Sequence, residues 1–348
     1  MVNRFTVSST RHEFNQRLLE SRLMLPPLAG YTDHPYRCML ADFHPPFICT
    51  EMVSPHGIIH RNPKVMRSLE LIEGPHLSGV QLVGDDPQAM AEAAGIVESI
   101  GYDYVDINMG CTVRTVTRSG AGVSLMRSQE KAIRVARAAA EAVDIPVTCK
   151  MRLGASSGNM NAVQLSMGLA DAGVSAITVH GRSGETKFGL PVDYDGIRAV
   201  VENVNVPVVA NGGIFTGRDA LVMVERTGAA AVMPGRGLIG NPWLVTEIRS
   251  AFTGENYAPP LLGERKEMCL KHLYTLCGFY GEQKGVIAMR RVLHEYFSGC
   301  RSLYALKHEM PRVTSINDIQ VLLDRVHEDG LHMFFGEKRC TDSNQIQV

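Results

Sequence analysis

Several features that would narrow the class of protein are missing from this sequence. The net charge is -1, so the chain shows no global signature of polyanion binding, and a nucleic-acid partner would need a local basic patch. No run of 18 apolar residues occurs, which argues against a membrane span, and the N-terminal segment lacks the apolar core of a signal peptide. None of the eight cysteines forms a CxxC pair, which favours reduced thiols in the cytoplasm.

What the sequence does contain is a regular alternation of short apolar runs with longer helical patterns. Eight runs have strand length and are rich in Val, Ile or Leu: Leu23–Leu28, Phe47–Met52, Ser78–Val83, Tyr104–Asn108, Pro146–Met151, Ala176–His180, Pro207–Asn211 and Ala230–Pro234. Near-continuous apolar strands separated by helices indicate a parallel sheet. Because about 230 residues is the size of a (β/α)₈ TIM barrel, we predict this α/β fold, with a doubly wound sheet as the competing fold.

The pattern changes after Ala251, which predicts a small all-helical domain behind the barrel. We divide the chain into an N-terminal extension over 1–22, a barrel over 23–252, a Pro- and Gly-rich linker over 253–263, a helical domain over 264–330 and a frayed tail over 331–348.

Polar residues follow the predicted strands at their carboxyl ends, where the active site of such a barrel lies. They are Glu51, Gln81, Asn108, Lys150, His180, Asn211, Gly235 and Arg236. A single polar residue at a strand end is most simply a capping or packing residue. Because burying unpaired polar groups is costly, a whole set converging on one mouth predicts a functional site.

The last two strands run into glycine-rich loops. Asn211, Gly212 and Gly213 follow the seventh run, and Gly235 and Arg236 follow the eighth. Glycines let backbone N–H groups approach an anion closely, and these two loops form the usual phosphate cradle of the fold. Arg236 can add a charge-assisted contact. Tight turns alone are the simpler alternative; a sugar phosphate, a nucleotide or FMN would each satisfy the pattern.

Lys150 and Gln81 favour a flavin among these ligands. A lysine at the N1/O2 edge of the ring stabilises the negative charge that accumulates on reduction. A glutamine can donate and accept at the imide edge. A Schiff-base lysine is the alternative role for Lys150.

Cys111 lies directly after a strand end, in the polar, Gly-rich stretch VDINMGCTVRTVTRSGAGVSLM. A thiol is mostly protonated at neutral pH, so this cysteine is a candidate general acid. A nucleophilic or redox role is the alternative chemistry, and a small buried apolar side chain is the structural one.

These segments together resemble the tRNA-dihydrouridine synthase family. The resemblance rests on LPPLAGYTDHPYR, GVQLVGDDP, DINMGCTVRTVTRSGAG, PVTCKMRLG, ITVHGRSGETKFG, VVANGGI, VMPGRGLIGNPWL and FYGEQKGVIAMRRVLHEYFSG, in this order. It implies FMN as prosthetic group, NADPH as reductant, a tRNA uridine as substrate and Cys111 as proton donor. Residues 23–252 would then bind FMN and residues 264–330 would bind tRNA.

Carried over by motif, the resemblance also assigns binding residues. Those implied to contact FMN are Pro27, Leu28, Ala29, Gln81, Lys150, His180, Asn211, Gly212, Gly213, Gly235 and Arg236. Asn108 would lie near the substrate base. Two departures stand out. Thr112 follows the cysteine where the family usually has proline. The family also usually has an aromatic residue near the position of Lys187 and Phe188, and this sequence matches the family pattern poorly there.

Two other functions fit parts of the pattern. A free-pyrimidine FMN oxidoreductase of the dihydroorotate dehydrogenase type would also be a barrel, and a non-catalytic RNA-binding flavoprotein would accommodate Thr112. The basic helical domain favours tRNA, because basic appendages suit contacts to a phosphate backbone, although a solvated helix face is the simpler alternative. Arg290 and Arg291 are the candidate contacts. We expect tRNA and NADPH as partners, no membrane and no obligatory protein partner.

Overall fold

The computed structural model describes residues 4–186, 189–298, 300, 302 and 308–327, and its centre is a sheet of seven parallel strands. Strands that are consecutive in the chain are neighbours in the sheet. The strands are β1 Phe47–Val53, β2 Leu77–Leu82, β3 Tyr104–Met109, β4 Val147–Arg152, β5 Ala176–His180, β6 Val208–Asn211 and β7 Ala231–Met233.

The predicted first strand, Leu23–Leu28, is replaced by a shorter extended segment that joins the two edges of the sheet. The Met24 N–H donates to the Val232 carbonyl at 3.0 Å, and the Leu25 N–H donates to the Phe47 carbonyl at 3.4 Å. Only Leu23 forms a ladder bridge, to Val232. Pro26 and Pro27 have no N–H to donate, so the ladder stops there. The segment still closes the ring, which confirms the predicted α/β barrel fold.

Helices lie between the strands and after them. They are α1 Arg4–Ser21, α2 His34–Ala41, α3 Pro55–Ile59, α4 Pro63–Ser68, α5 Pro87–Ile100, α6 Arg114–Arg118, α7 Gln129–Ala142, α8 Ala162–Asp171, α9 Tyr194–Asn203, α10 Gly217–Thr227, α11 Leu244–Thr253, α12 Leu262–Tyr280, α13 Glu282–Tyr296 and α14 Ile316–Asp324. Short 3-10 helices cover Gly122–Arg127, Arg236–Leu238 and Met310–Arg312.

Local sequence signals fix where the helices around the sheet begin and end. The Asp86 carboxylate accepts the Gln88 N–H at the start of α5, and Gly101 ends that helix in the left-handed conformation at φ 103°. Thr216 and Asp219 form a reciprocal capping box at the start of α10. The apolar faces of these helices then pack on the strands and bury the main core.

The N-terminal extension contains α1, whose apolar side chains are buried against the barrel strands. Phe14 and Leu18 are fully buried in a separate apolar cluster with residues of β1, β3, β5, β6 and β7. The Phe14 ring makes edge contacts with Phe47 at 5.0 Å and with Tyr104 at 5.4 Å between centroids. Phe47 and Tyr104 open their strands, so α1 covers the amino end of the barrel, opposite the predicted site.

The helical segment after the linker packs on the loops at the other end of the barrel. Helices α12 and α13 lie against each other, and α12 also contacts α2. The Tyr36 hydroxyl of α2 donates to the Leu238 carbonyl, and its ring lies 5.0 Å from that of His272 in α12. The Tyr296 hydroxyl of α13 lies 3.0 Å from His272 Nδ1. In the part of the chain that the structure describes, no helix is long and apolar enough to span a membrane.

We predict that the contact between α1 and the barrel contributes strongly to stability. Replacing Phe14 by alanine should lower the free energy of unfolding by about 3–5 kcal/mol, because it opens a cavity beside the rings of Phe47 and Tyr104. Leu19→Ala, on the exposed side of the same helix, is the matched control and should cost less than about 0.5 kcal/mol. Equal effects of the two variants in urea unfolding would show that α1 does not fold with the barrel.

Candidate active site

The strand-end residues predicted from the sequence meet at one rim of the barrel. Gln81, Asn108, Lys150, His180 and Asn211 come from the five consecutive strands β2 to β6. Asn108 pairs with Lys150 across β3 and β4, and His180 pairs with Asn211 across β5 and β6. Because the strands are parallel and in register, their carboxyl ends bring these side chains to the same mouth.

Lys150 is held at this mouth by a short chain of hydrogen bonds. Its Nζ donates to Asn211 Oδ1 at 3.1 Å, and Asn211 Nδ2 donates to the Met233 carbonyl at 2.7 Å. Burial and, to a smaller extent, the nearby charge of Arg152 together lower the pKa of Lys150 to about 8. An anion placed here would be stabilised by this ammonium group more strongly than in water, because burial keeps the group away from the screening solvent.

His180 is neutral in this environment. Burial, together with the charges of Lys150, Arg152, Arg182 and Arg236, lowers its pKa to about 2. Arg182 Nη1 lies 3.3 Å from His180 Nε2, and a guanidinium can only donate, so Nε2 is the accepting nitrogen. His180 can therefore orient a ligand by hydrogen bonding, but it does not supply a proton to one.

The loop after β6 has the backbone conformation that only glycine adopts readily. Gly212 and Gly213 have φ of 120° and 70°. A Cβ placed on Gly212 would lie 2.9 Å from His180 Cδ2, so the loop packs directly against the histidine ring. A Cβ on Gly235 would meet no atom within 4 Å, and Arg236 begins the next 3-10 helix. The two loops thus combine close backbone packing with open space beside a cation.

The extended segment that closes the ring, the closing segment, ends at Pro26. The loop that follows it completes the rim between β7 and β1. Pro27 and Leu28 are partly exposed, and Ala29 is exposed. The Leu28 carbonyl accepts the N–H groups of Tyr31 and Thr32, both at 2.9 Å, which turns the chain into α2. The carboxylate of Glu51, at the end of β1, accepts the N–H of Gly30. Burial raises the pKa of Glu51, although this hydrogen bond lowers it.

Cys111 sits on a tightly held loop and has a partly exposed, free thiol. Its N–H donates to Asn108 Oδ1 at 2.9 Å, and its carbonyl accepts the Val123 N–H at 2.9 Å. Gly122 has φ of 59°, and a Cβ there would lie 2.6 Å from the Cys111 carbonyl oxygen. These contacts fix the loop without the proline that Thr112 replaces.

Three polar residues near the mouth were not among the predicted site residues. Arg152 donates from Nε to the Gly110 carbonyl at 2.9 Å and from Nη1 to the Ser183 carbonyl at 2.8 Å. Arg182 contacts His180, and Asp106 lies beneath Gln81. Side chains two apart on a strand share a face, so Arg152 follows Lys150 and Asp106 precedes Asn108 on the same faces. That signal was available in the sequence.

The two arginines predicted to contact RNA point in different directions. Arg290 is partly buried and donates to the Val313 carbonyl inside the helical segment. Arg291 is exposed and overhangs the barrel mouth, since a Cβ on Gly30 would lie 3.4 Å from its Nη1. Lys187 and Phe188 lie outside the described residues.

The fold and the site define an α/β-barrel enzyme with a cationic mouth and one partly exposed thiol. A family model described as "Dihydrouridine synthase (Dus)" matches residues 24–329. The tRNA-dihydrouridine synthase B of Serratia marcescens is 36% identical over 279 residues, covering 80% of this chain and 84% of the relative. A probable tRNA-dihydrouridine synthase of Rhodobacter capsulatus is 38% identical over 301 residues, covering 85% of this chain and 91% of the relative.

Solved structures add support for the fold alone. The 6-hydroxypseudooxynicotine amine oxidase of Pseudomonas geniculata N1 aligns with a TM-score of 0.52 at 15% identity, over 67% of this chain and 47% of that chain. The chain therefore belongs to the dihydrouridine synthase family, and it is an enzyme of the oxidoreductase class. The family resemblance drawn from the motifs is confirmed.

We predict that Lys150 makes stability depend on pH. Its pKa falls from 10.5 to about 8 on folding, so the unfolded chain binds the proton more tightly between these values and stability rises with pH. From pH 7 to pH 10, the free energy of unfolding should rise by roughly 2 kcal/mol relative to Lys150→Met. The measurement is urea unfolding of ligand-free protein, with Lys64→Met, at an exposed site, as the control. Parallel pH curves for the natural protein and Lys150→Met would contradict the buried ammonium.

Proposed function

We propose that this enzyme reduces specific uridines in tRNA to 5,6-dihydrouridine, with FMN as prosthetic group, NADPH as reductant and Cys111 as proton donor. The observation that carries the proposal is the placement of the Cys111 loop. It lies at the same barrel mouth as Lys150 and the glycine loops, in a member of the dihydrouridine synthase family.

The residues at the mouth fit FMN. The Gly212–Gly213 turn and the open space at Gly235 beside Arg236 suit the phosphate group. Pro27, Leu28 and Ala29 would line the flavin from the closing segment's loop. Lys150 and Gln81 would contact the ring, with neutral His180 beside it. The cluster of Lys150, Arg152, Arg182 and Arg236 around His180 favours a ligand whose negative charge grows during the reaction.

When bound, FMN supplies the transfer of a hydride from NADPH to C6 of the uracil. The chain supplies the other half of the reduction. Cys111 donates its thiol proton to C5 from the opposite face of the base, and Asn108 holds the cysteine loop while lying close to the substrate. Delivery to both faces requires a base extruded from the RNA stack, because a stacked base exposes neither face.

The helical segment is suited to present the tRNA to this mouth. Arg291 is exposed at the rim, close to Gly30, and the charges of Asp33 and Glu51 lie near it. We assign the RNA contact to Arg291 and a structural role to Arg290, which bonds within the segment. A tRNA is large enough to contact the helical segment and the mouth together. A free pyrimidine is not, and this distinguishes the proposal from a free-pyrimidine reductase of the dihydroorotate dehydrogenase type. We place the reaction in the cytoplasm, where the described cysteines, none of which forms a disulfide, would stay reduced.

The central test is to replace Cys111 by alanine. The variant should keep its bound FMN and its oxidation of NADPH, yet form dihydrouridine about 10²–10⁴-fold more slowly. Dihydrouridine is measured in unmodified tRNA after incubation with NADPH, and denatured protein is assayed for released FMN. Cys277→Ala, outside the site, is the control. Reduction of free orotate instead of tRNA would favour the free-pyrimidine enzyme, and flavin binding without any turnover would favour a non-catalytic RNA-binding protein.

The two arginines give a second test, because the structure separates their roles. Arg291→Glu should weaken tRNA binding and flatten its dependence on salt, because the variant loses one phosphate contact and places a negative charge where the positive one was. The melting temperature and FMN content should stay near those of the natural protein. Arg290→Glu should instead lower the melting temperature, because it removes the donor to Val313. If Arg291→Glu leaves tRNA affinity and salt dependence unchanged, the RNA binds elsewhere.

A further inference from the structure

Asp106 is a buried carboxylate beneath the Cys111 loop, and the proposed reaction gives it no role. It is 3% exposed, and both of its oxygens accept hydrogen bonds. Oδ1 accepts from the Thr148 hydroxyl at 2.6 Å, and Oδ2 accepts from Gln81 Nε2 at 2.6 Å. A buried acid needs such partners, because an unpaired charge in the interior is very costly.

From Asp106 a continuous chain of hydrogen bonds leads to the cysteine. Gln81 Oε1 accepts from Asn108 Nδ2 at 2.8 Å. Asn108 Oδ1 then accepts from the backbone N–H groups of Gly110 at 3.1 Å and Cys111 at 2.9 Å. We call Asp106, Gln81 and Asn108 the amide relay. It connects the floor of the mouth to the loop that carries the thiol.

The direction of the amide relay is set at both ends. Asp106 Oδ2 accepts from Gln81 Nε2, so Gln81 turns its NH₂ group toward Asp106 and its oxygen toward Asn108. The backbone N–H groups of Gly110 and Cys111 can only donate, so Asn108 must turn its oxygen toward them. Burial raises the pKa of Asp106, while the hydrogen bonds from Gln81 and Thr148 and the charge of Lys150 lower it.

We propose that Asp106 is a positioning residue, which fixes the orientation of the Gln81 and Asn108 amides and thereby holds Cys111 in place for proton donation. This inference rests on the proposed function for its consequence, but the relay itself can be tested without it. Reversing the amide of Gln81 would face two NH₂ groups toward each other at Asn108, and the anchor of the Cys111 loop would be lost.

A double-mutant cycle separates orientation from charge. In Asp106→Asn, the new NH₂ can face the Thr148 hydroxyl, which rotates to accept it, so the oxygen still faces Gln81. In Asp106→Asn with Thr148→Val, that acceptor is gone, and the NH₂ competes for Gln81. The negative charge is lost equally with and without Thr148, so its effect cancels in the cycle and the coupling reports orientation.

The experiment measures the rate at which iodoacetamide alkylates Cys111 in the flavin-loaded protein, by mass spectrometry. Cys38 and Cys277, both partly exposed and outside the relay, are internal references for general loosening. Asp106→Asn and Thr148→Val should each change the Cys111 rate modestly. The double variant should alkylate on the order of tenfold faster than the product of the single effects, with the reference rates unchanged. Thr178 is a buried threonine of β5, the strand next to the one that carries Thr148. Thr178→Val in place of Thr148→Val is therefore the matched control.

Turnover gives the second readout. In the double variant, the maximal rate of tRNA uridine reduction should fall by a similar factor while the KM for tRNA stays the same, because Arg291 and the helical segment assigned to the tRNA contact are unchanged. Multiplicative effects on Cys111 alkylation would overturn the relay even if tRNA is reduced normally. An alkylation coupling in a protein that never reduces tRNA would support the relay and reject the proposed function.

Discussion

The site depends on the parallel register of the strands and on the closure of the ring that they form. The segment just before Pro26 donates to Val232 on one side and to Phe47 on the other, and thus brings β7 next to β1. Without this closure, the loop with Pro27 and Leu28 would not face the loop with Gly235 and Arg236. Helix α1 covers the amino end of the barrel. Ligands are therefore expected at the carboxyl end.

Four positively charged side chains surround His180 at this mouth. Lys150, Arg152, Arg182 and Arg236 all act on His180, and they hold its pKa near 2 together with burial. Beneath them, Asp106 is a buried counter-charge that interacts with Lys150. The arrangement is costly for an empty site, because cations repel one another at low effective dielectric. An anionic ligand would relieve that repulsion.

The helical segment and the mouth are physically joined. Gly240 lies so close to α13 that a Cβ there would be 2.6 Å from the Tyr296 backbone nitrogen. Tyr280 of α12 donates to Asp33, whose other oxygen caps α2 at 3.0 Å from the Tyr36 N–H. Burial raises the pKa of Asp33 despite these bonds. A partner bound to α13 would therefore contact elements that are continuous with the loops around the site, rather than a freely moving appendage.

The sequence by itself determined the alternation of strands and helices, the polar strand ends and the setting of Cys111. These features are local: each strand pairs with the next one in the chain, so order along the sequence becomes order around the ring. Only the tertiary structure decided the rest. The N-terminal extension folded onto the amino end of the barrel through Phe14. Arg290 turned inward while its neighbour Arg291 turned to the rim. Such outcomes depend on contacts between distant segments, such as that of Tyr36 with Leu238, 202 residues apart, which no local pattern encodes.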